Sequence, residues 1–122
     1  MTSIESVAGL RLYFASCDGP ALATEQDALD LLAETYGQEV DMIVVPVERF
    51  ASSFFDLRTR QAGHFFQKMQ NYRARLAIMG DISGHASGSR VLNDFVGETN
   101  RTGHHMFVDD RVELTERLIR EG

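Results

Sequence analysis

Three polar residues, Ser53, Asp56 and Arg58, lie close together at the start of a predicted helix. This helix follows a predicted buried strand, and open α/β sheets usually bind ligands at the carboxyl ends of such strands. Free amides in a first helical turn, together with an arginine, can hold an anion. The alternative is that Ser53 and Asp56 only cap the helix while Arg58 pairs with a carboxylate. All three residues are therefore candidates for ligand or partner binding.

A loop rich in glycine and serine, from Gly80 to Arg90, leaves one predicted strand and enters the next predicted helix. Such a composition can expose backbone amides to a phosphate or a carboxylate. Its spacing, however, fits neither the dinucleotide-binding glycine motif, nor the P-loop, nor the nucleophile elbow. A flexible loop with Ser87 as helix N-cap is the favoured interpretation. Asp81, Ser87 and Ser89 remain binding candidates.

Asp81 and His85 are the acid–base pair of this loop. A serine hydrolase would need Ser83 or Ser87 beside both, and sequence spacing cannot show such an arrangement. No nucleophile, base and orienting group can be recognised together, so no catalytic residue is assigned.

Arg101 belongs to a polar group at the predicted end of the third helix, with Glu98 and Asn100. Asn100 can take the left-handed conformation that ends a helix, whereas Arg101 has no such local role. If Arg101 and Arg58 lie on one rim of the sheet, their forked donors can recognise a carboxylate or a phosphate. Pairing with surface carboxylates is the alternative.

The histidines and the single cysteine do not form a recognisable metal or redox motif. Adjacent strand residues point to opposite faces, so His104 and His105 are not expected to share a metal. His64 and His85 are dispersed, and Cys17 lacks a basic neighbour in the sequence. We therefore expect no metal and no cofactor.

Hydrophobic patterning predicts an α/β fold. Strands alternate with helices, which implies a mostly parallel sheet, and an opening hairpin adds an antiparallel edge. The predicted elements are a hairpin of Ile4–Val7 and Leu10–Ala15, a helix ending near Gly37, strands Met42–Val45, Leu76–Met79 and Met106–Val108, a helix from about Phe54 to Tyr72, a helix from Ser87 to about Thr99, and a last helix after Asp109-Asp110. This amounts to about five strands and four helices, in one domain over residues 1–122.

Caps and apolar positions refine the helices. Thr24 and Asp27 resemble a capping box, Ser52 or Ser53 can cap the long helix, and Asp109 or Asp110 the last one. Gly63, inside the long helix, suggests a close approach to a neighbouring strand. The positions expected to face the core are Ala28, Leu31, Leu32, Tyr36, Phe55, Ala62, Phe65, Phe66, Met69, Tyr72, Val91, Leu92, Phe95, Val96, Val112, Leu118 and Ile119.

Composition excludes some partners. The chain has 122 residues and a formal net charge of −6, which argues against nucleic acid and anionic membranes. No apolar run reaches the roughly 18 residues of a membrane span, and the first residues lack the order of a signal peptide. One cysteine and these absences favour a cytoplasmic protein.

The sequence resembles an uncharacterised bacterial family, domain of unknown function 4180. The resemblance rests on Phe54-Phe55-Asp56-Leu57-Arg58-Thr59, Ala62-Gly63, Gln67-Lys68, Asn71-Tyr72, Leu76-Ala77-Ile78-Met79-Gly80-Asp81, Ser87, Ser89, Asp94-Phe95, Glu98, Asn100-Arg101 and Phe107-Val108. It spans nearly the whole chain. The sequence departs from the family pattern at Arg60, where a glycine is usual, and at His64, where an acidic residue is usual. The resemblance implies no established function.

The order of elements is also similar to STAS domains, which are protein-binding modules of anti-sigma factor antagonists. In that family a serine after the buried strand can be a phosphorylation switch, and Ser52 and Ser53 fall near that place. The family's Asp-Ser-Ser-Gly type motif is replaced by Ala51-Ser52-Ser53-Phe54. The resemblance implies a STAS-like fold and favours protein binding over the switch.

Two hypotheses follow. The first is a non-enzymatic, cytoplasmic regulatory or binding module for a protein or a small anionic ligand, with a homodimer as one form. The second is a small enzyme for an anionic metabolite, with Asp81 or His85 as acid or base and Arg58 or Arg101 orienting the substrate.

Overall fold

The computed structural model describes residues 2–86 and 89–121. The helices and strands are β1 (Ser3–Val7), β2 (Leu10–Phe14), α1 (Glu25–Glu34), β3 (Met42–Pro46), α2 (Gln61–Asn71), β4 (Leu76–Met79), α3 (Ser83–Ala86), α4 (Arg90–Thr102), β5 (Met106–Val108) and α5 (Arg111–Glu121). Three 3₁₀ turns, Val47–Arg49, Ser52–Phe55 and Leu57–Thr59, connect β3 to α2. The α/β class and the sheet of five strands are confirmed.

The strands lie in the sheet in chain order, β1-β2-β3-β4-β5. β1 and β2 form the predicted antiparallel hairpin, and each later strand pairs parallel to the one before it. Each parallel connection moves to the next strand in the same direction along the sheet. Since such crossover connections are right-handed, they place α1, α2 and α4 on one face of the sheet. The main apolar core, which includes Leu31, Phe65 and Leu92 from these helices, lies on that face.

Helix α5 covers the opposite face. Its Leu114 and Leu118 pack in a second apolar cluster with strand residues such as Leu12 and Val44. At its start, Arg111 pairs with Glu5, and its guanidinium carbon lies 4.5 Å from the centroid of the Phe14 ring. At its end, the Glu121 carboxylate accepts from Arg75 at 2.6 Å. The helix is therefore fixed to the sheet at both ends.

The local signals at several element ends are confirmed. Thr24 and Asp27 form the capping box of α1, and the Asp110 carboxylate accepts from the Glu113 amide at 2.9 Å at the start of α5. Gly37 takes a positive φ of 80°. These positions were predictable because each depends on neighbours within a few residues.

The prediction of one long helix from about Phe54 to Tyr72 is wrong. Residues Ser52–Phe55 form a 3₁₀ turn instead, and α2 begins at Gln61. The Asp56 carboxylate caps the next turn by accepting from the Arg58 amide, and Arg60 takes a left-handed φ of 62°. A left-handed residue interrupts an α-helix, so the helical pattern cannot be continuous across Arg60.

Several predicted inward positions face solvent. Tyr36 and Tyr72 lie beyond the ends of α1 and α2, so the helical stripe does not extend to them. On α4 and α5 the buried stripe is narrower than predicted. The exposed residues are Tyr36, Tyr72, Val91, Val112 and Ile119.

Gly63 and Asn100 also differ from expectation. Gly63 is exposed, and a Cβ added there would meet no atom within 4 Å, so there is no close approach to a strand. Asn100 lies within α4, which Gly103 ends with a φ of 79°. The Asn100 side-chain oxygen instead accepts from the Phe107 amide at 2.7 Å.

His104 and His105 do not point to opposite faces, because both precede β5 and are not strand residues. Their ring centroids lie 4.5 Å apart, and His105 stacks on Phe66 at 5.0 Å. The His105 Nδ1 accepts from the Leu76 amide at 3.1 Å. Burial, followed by the positive charges of His104 and Arg75, lowers the pKa of His105 from 6.5 to about 4.

Replacing Arg60 with glycine should stabilise the protein. A non-glycine residue in the left-handed conformation destabilises the folded state by roughly 1–2 kcal/mol, and glycine removes this strain. Part of the gain is lost, because glycine has more conformational entropy in the unfolded chain. We expect Arg60→Gly to raise the free energy of unfolding in urea by about 0.5–1 kcal/mol. The control Gln67→Gly, at an exposed position in the middle of α2, should lower it by roughly 1 kcal/mol. A loss of stability in Arg60→Gly would contradict this account.

His105 should make the fold acid-sensitive. Its pKa is about 4 when folded and 6.5 as the ordinary value, so the unfolded chain binds the proton first. Its contribution to stability is therefore present above pH 6.5 and is lost as the pH falls towards 4. In His105→Asn, an amide oxygen can replace Nδ1 as acceptor without titrating. Urea unfolding between pH 7 and about pH 4 should show a smaller loss in this variant than in the wild type; equal losses would disprove the assignment.

Candidate functional site

An open cleft lies where β3 and β4 end. It forms between the 3₁₀ turns that follow β3 and the segment from α3 to the start of α4, and its volume is about 720 Å³. We call it the carboxyl-edge cleft. Its lining residues are Ser52, Phe55, Asp56, Leu57, Arg58, Gly84, His85, Ser89, Arg90 and Val91. This is the place in an open α/β sheet where ligands usually bind.

Aromatic packing fixes the wall that follows β3. Phe54 is fully buried, with its ring centroid 4.4 Å from Phe50 and 5.5 Å from Phe65. Phe55 is also buried, and its ring centroid lies 5.2 Å from that of Phe54. Consecutive side chains diverge by about 100–120° in either type of helix, so the core must cover the turn Ser52–Phe55 from two sides.

The predicted trio Ser53, Asp56 and Arg58 is only partly united in the cleft. The Ser53 hydroxyl donates to the Gln61 side chain at 2.7 Å and does not line the cleft. Ser53 therefore links the turn to α2 and is not a helix cap.

Asp56 and Arg58 form a forked ion pair at the rim. The Arg58 guanidinium donates to both carboxylate oxygens, at 3.0 and 2.8 Å. These bonds and the Arg58 amide hold the pKa of Asp56 below its usual range. The Arg58 side chain is 91% exposed, so one face of its guanidinium is open to a ligand.

The opposite wall carries His85, whose ring stacks on Phe55 with centroids 4.2 Å apart. Asp81 does not line the cleft. Its carboxylate accepts from the Ser83 amide at 2.8 Å, and bonds from Ser83 lower the pKa of Asp81. Within the described ranges, Asp81 and His85 share no hydrogen bond, so the predicted acid–base pair is not assembled.

The entry to α4 differs from its prediction. Helix α4 begins at Arg90, and its cap is Ser89, whose hydroxyl accepts from the Leu92 amide at 3.2 Å. Ser87, expected as the cap and as a binding candidate, lies outside the described residues. Ser89 lines the cleft as a cap, and Arg90 lines it with a side chain that is 93% exposed.

Arg101 is not on the same rim as Arg58. It lies in the last turn of α4, at the end of the helix remote from the cleft, and pairs with Glu98. A helix that returns from the carboxyl edge of a parallel sheet ends at the amino edge. The first residue of α4, Arg90, lines the cleft and was not singled out from the sequence, whereas Arg101 does not line it.

A smaller depression of about 310 Å³ lies near this opposite end. Gly103, Arg117 and Glu121 are among its lining residues, and the Glu121 carboxylate is already paired with Arg75. Its lining also includes Arg120, but its volume is less than half that of the carboxyl-edge cleft, so the carboxyl-edge cleft is the stronger candidate.

Arg49 was missed by sequence reasoning, although it is the most unusual cation of the fold. It is only 7% exposed, and its guanidinium donates to the carbonyls of Pro20 and Ser16 at 2.9 and 3.0 Å. A Cβ on Gly19 would lie 2.9 Å from it. No local sequence signal could have found Arg49, because its acceptors lie 29 and 33 residues away in the chain.

In the described parts of the chain we searched for metal centres and membrane spans. Among residues 2–86 and 89–121, no group of three or more histidine, cysteine or acidic side chains is placed to hold a metal ion. In the same ranges, no helix has the length and apolar character needed to cross a membrane. Cys17 is exposed and unpaired as a disulfide.

Fold and cleft define the class: a small α/β protein with an open cleft, bordered by arginines, at the carboxyl edge of a mostly parallel sheet. The chain matches the family model described as domain of unknown function (DUF4180) over residues 8–118, and it belongs to that family. The comparisons with curated proteins and with solved structures found no match. The similarity to STAS domains stays a prediction.

Loss of the Arg49 guanidinium should release the loop at Ser16–Pro20. In Arg49→Met the carbonyls of Ser16 and Pro20 lose their donors while the packing volume is kept. We expect a destabilisation of about 1–3 kcal/mol in urea and faster amide exchange in this loop. The control Arg120→Met, an exposed arginine, should change stability by less than about 0.5 kcal/mol. Equal stabilities of the two variants would show that Arg49 does not hold the loop.

Proposed function

We propose that the protein is a non-enzymatic cytoplasmic module that binds a negatively charged protein or small molecule in the carboxyl-edge cleft. The observation that carries this proposal is the placement of Arg58 and Arg90 on opposite sides of the cleft. The whole chain has a net charge of −6. Two exposed arginines at one concave site therefore make the cleft locally positive on a protein that is negative overall, and a positive cleft attracts anions.

The chemistry of the lining supports an anion with an apolar part. Arg58 and Arg90 supply forked donors, which suit carboxylates and phosphates. Leu57 and the 64% exposed Val91 supply aliphatic surface, and the Phe55–His85 stack supplies a flat wall. Asp56 already neutralises part of Arg58, so we expect modest affinity and a marked dependence on salt.

The enzyme hypothesis receives less support from the geometry. It requires Asp81 or His85 as acid or base with Arg58 or Arg101 beside the substrate. Asp81 is bound to a backbone amide outside the cleft, and Arg101 lies at the other end of α4. His85 and Arg58 alone remain together. This pair can bind an anion without any catalytic step, so binding is the simpler function.

Binding can be tested with defined carboxylate probes. We would titrate ¹⁵N-labelled protein with citrate and with a poly-glutamate peptide and follow backbone amide shifts. The expected shifts lie in residues 52–58 and 89–91. Arg58→Ala and Arg90→Ala should each weaken binding about fivefold, the equivalent of roughly 1 kcal/mol for an exposed charge pair. The fold should remain intact, as judged by unchanged shifts elsewhere.

Arg101→Ala is the matched control, because it removes an exposed arginine of the same helix at the other end. It should leave the affinity for both probes unchanged. Shifts confined to the region around Arg101, or equal losses in Arg90→Ala and Arg101→Ala, would show that the cleft is not the site. An Arg58→Ala variant that unfolds would instead assign Arg58 to a structural ion pair.

A further inference from the structure

We propose that the carboxyl-edge cleft receives the start of α5 from a second copy of the chain, which gives a two-fold symmetric dimer. The inference rests on the proposed function, since it names the partner of the same cleft. The docking segment is Asp109–Val112, which we call the α5 corner. Arguments from its exposure, from charge complementarity and from symmetry support it.

The α5 corner offers an acidic group beside an aliphatic one, and its cation, Arg111, is already paired with Glu5. Asp109 and Asp110 are exposed, and Val112 is 67% exposed. The Asp110 carboxylate is engaged as the cap of α5. The Asp109 amide donates to Glu113 at 2.6 Å, but its carboxylate accepts no hydrogen bond within the described part of the chain. Asp109 is therefore available for an external cation.

The cleft offers the complementary pair in the same arrangement. Arg90 is 93% exposed, and the adjacent Val91 is 64% exposed and lines the same cleft. Among the described residues, Arg90 has only a long contact to Asp94, at 4.0 Å. A contact of Arg90 with Asp109 and of Val91 with Val112 would satisfy one charge and cover one aliphatic side chain on each copy.

Symmetry permits both contacts at once. The cleft and the α5 corner both lie at the carboxyl edge, but the cleft belongs to the face covered by α1, α2 and α4, and the α5 corner to the opposite face. A two-fold axis in the plane of the sheet and perpendicular to the strands brings two carboxyl edges together and exchanges the faces. Each cleft then meets the other copy's α5 corner, as an isologous interface requires.

The alternative axis gives a worse pairing. An axis normal to the sheet would also bring the carboxyl edges together, but it would keep the faces, so that Arg58 and Arg90 of one copy would face the same arginines of the other. Like charges opposite one another oppose association. Charge therefore selects the first arrangement.

Charge reversal with complementation tests the dimer. Sedimentation equilibrium would measure association of the wild type, Arg90→Glu, Asp109→Lys and an equimolar mixture of the two variants. Each variant alone places like charges at both contacts, so we expect its self-association to weaken about tenfold or more. In the mixed dimer one contact is native and the other has exchanged signs, so association should return.

Arg101→Glu and Glu116→Lys are the matched controls, since Arg101 is an exposed arginine of α4, as Arg90 is, and Glu116 is an exposed acidic residue of α5, the helix that follows Asp109. They should associate as the wild type does. A wild type that is monomeric up to millimolar concentration overturns the proposal. So does a dimer that neither Arg90→Glu nor Asp109→Lys weakens, or one that the mixture fails to restore.

The carboxylate probes separate this proposal from the proposed function. Asp109→Lys leaves all cleft residues unchanged, so it should bind citrate and poly-glutamate at least as tightly as the wild type. Probe binding without a dimer would refute the dimer and keep the binding module. A dimer that needs Arg90 and Asp109, together with no probe binding, would support the second copy and refute a general anion site.

Discussion

Burial of β3 on both faces is the constraint on which the fold depends. Its residues Met42 to Val45 are almost completely buried, so one layer must cover each side of the sheet. Chain-ordered strands place α1, α2 and α4 on one side, which leaves the other side to α5 alone. A single helix must therefore cover this face of the sheet, and the ion pairs of Arg111 and Glu121 hold that helix in place at both ends.

The same topology creates the cleft. Parallel strands direct their carboxyl ends to one edge, and the segments that leave β3 and β4 must separate before their helices begin. Phe54 and Phe55 hold the first segment in a tight turn, while Ser89 begins α4 on the other side. The space between them is open because α2 starts only at Gln61. Apolar packing thus places the arginines, and their charge defines what the space can attract.

The sequence allowed the strands, the hairpin and the capping box of Thr24 to be predicted, because buried runs and caps depend on local patterns. The break in the predicted long helix at Arg60 could not be foreseen, since aromatic spacing alone does not indicate a left-handed residue. Of the residues singled out in the sequence, some line the cleft, namely Asp56, Arg58, His85 and Ser89, whereas Ser53, Asp81 and Arg101 do not. Arg90 was missed because its place at the cleft depends on where α4 begins, and the first residue of a helix is hard to assign from a sequence pattern.

The bond from the Phe107 amide to Asn100 has a consequence for the outer edge of the sheet. β5 is a terminal strand, and an unpaired amide on such a strand can recruit a strand from another molecule. Here the Asn100 side chain occupies that amide at 2.7 Å, and β5 spans only three residues. At this amide the Asn100 side chain takes the place of a neighbouring strand, which leaves a strand from another molecule less to pair with at this edge.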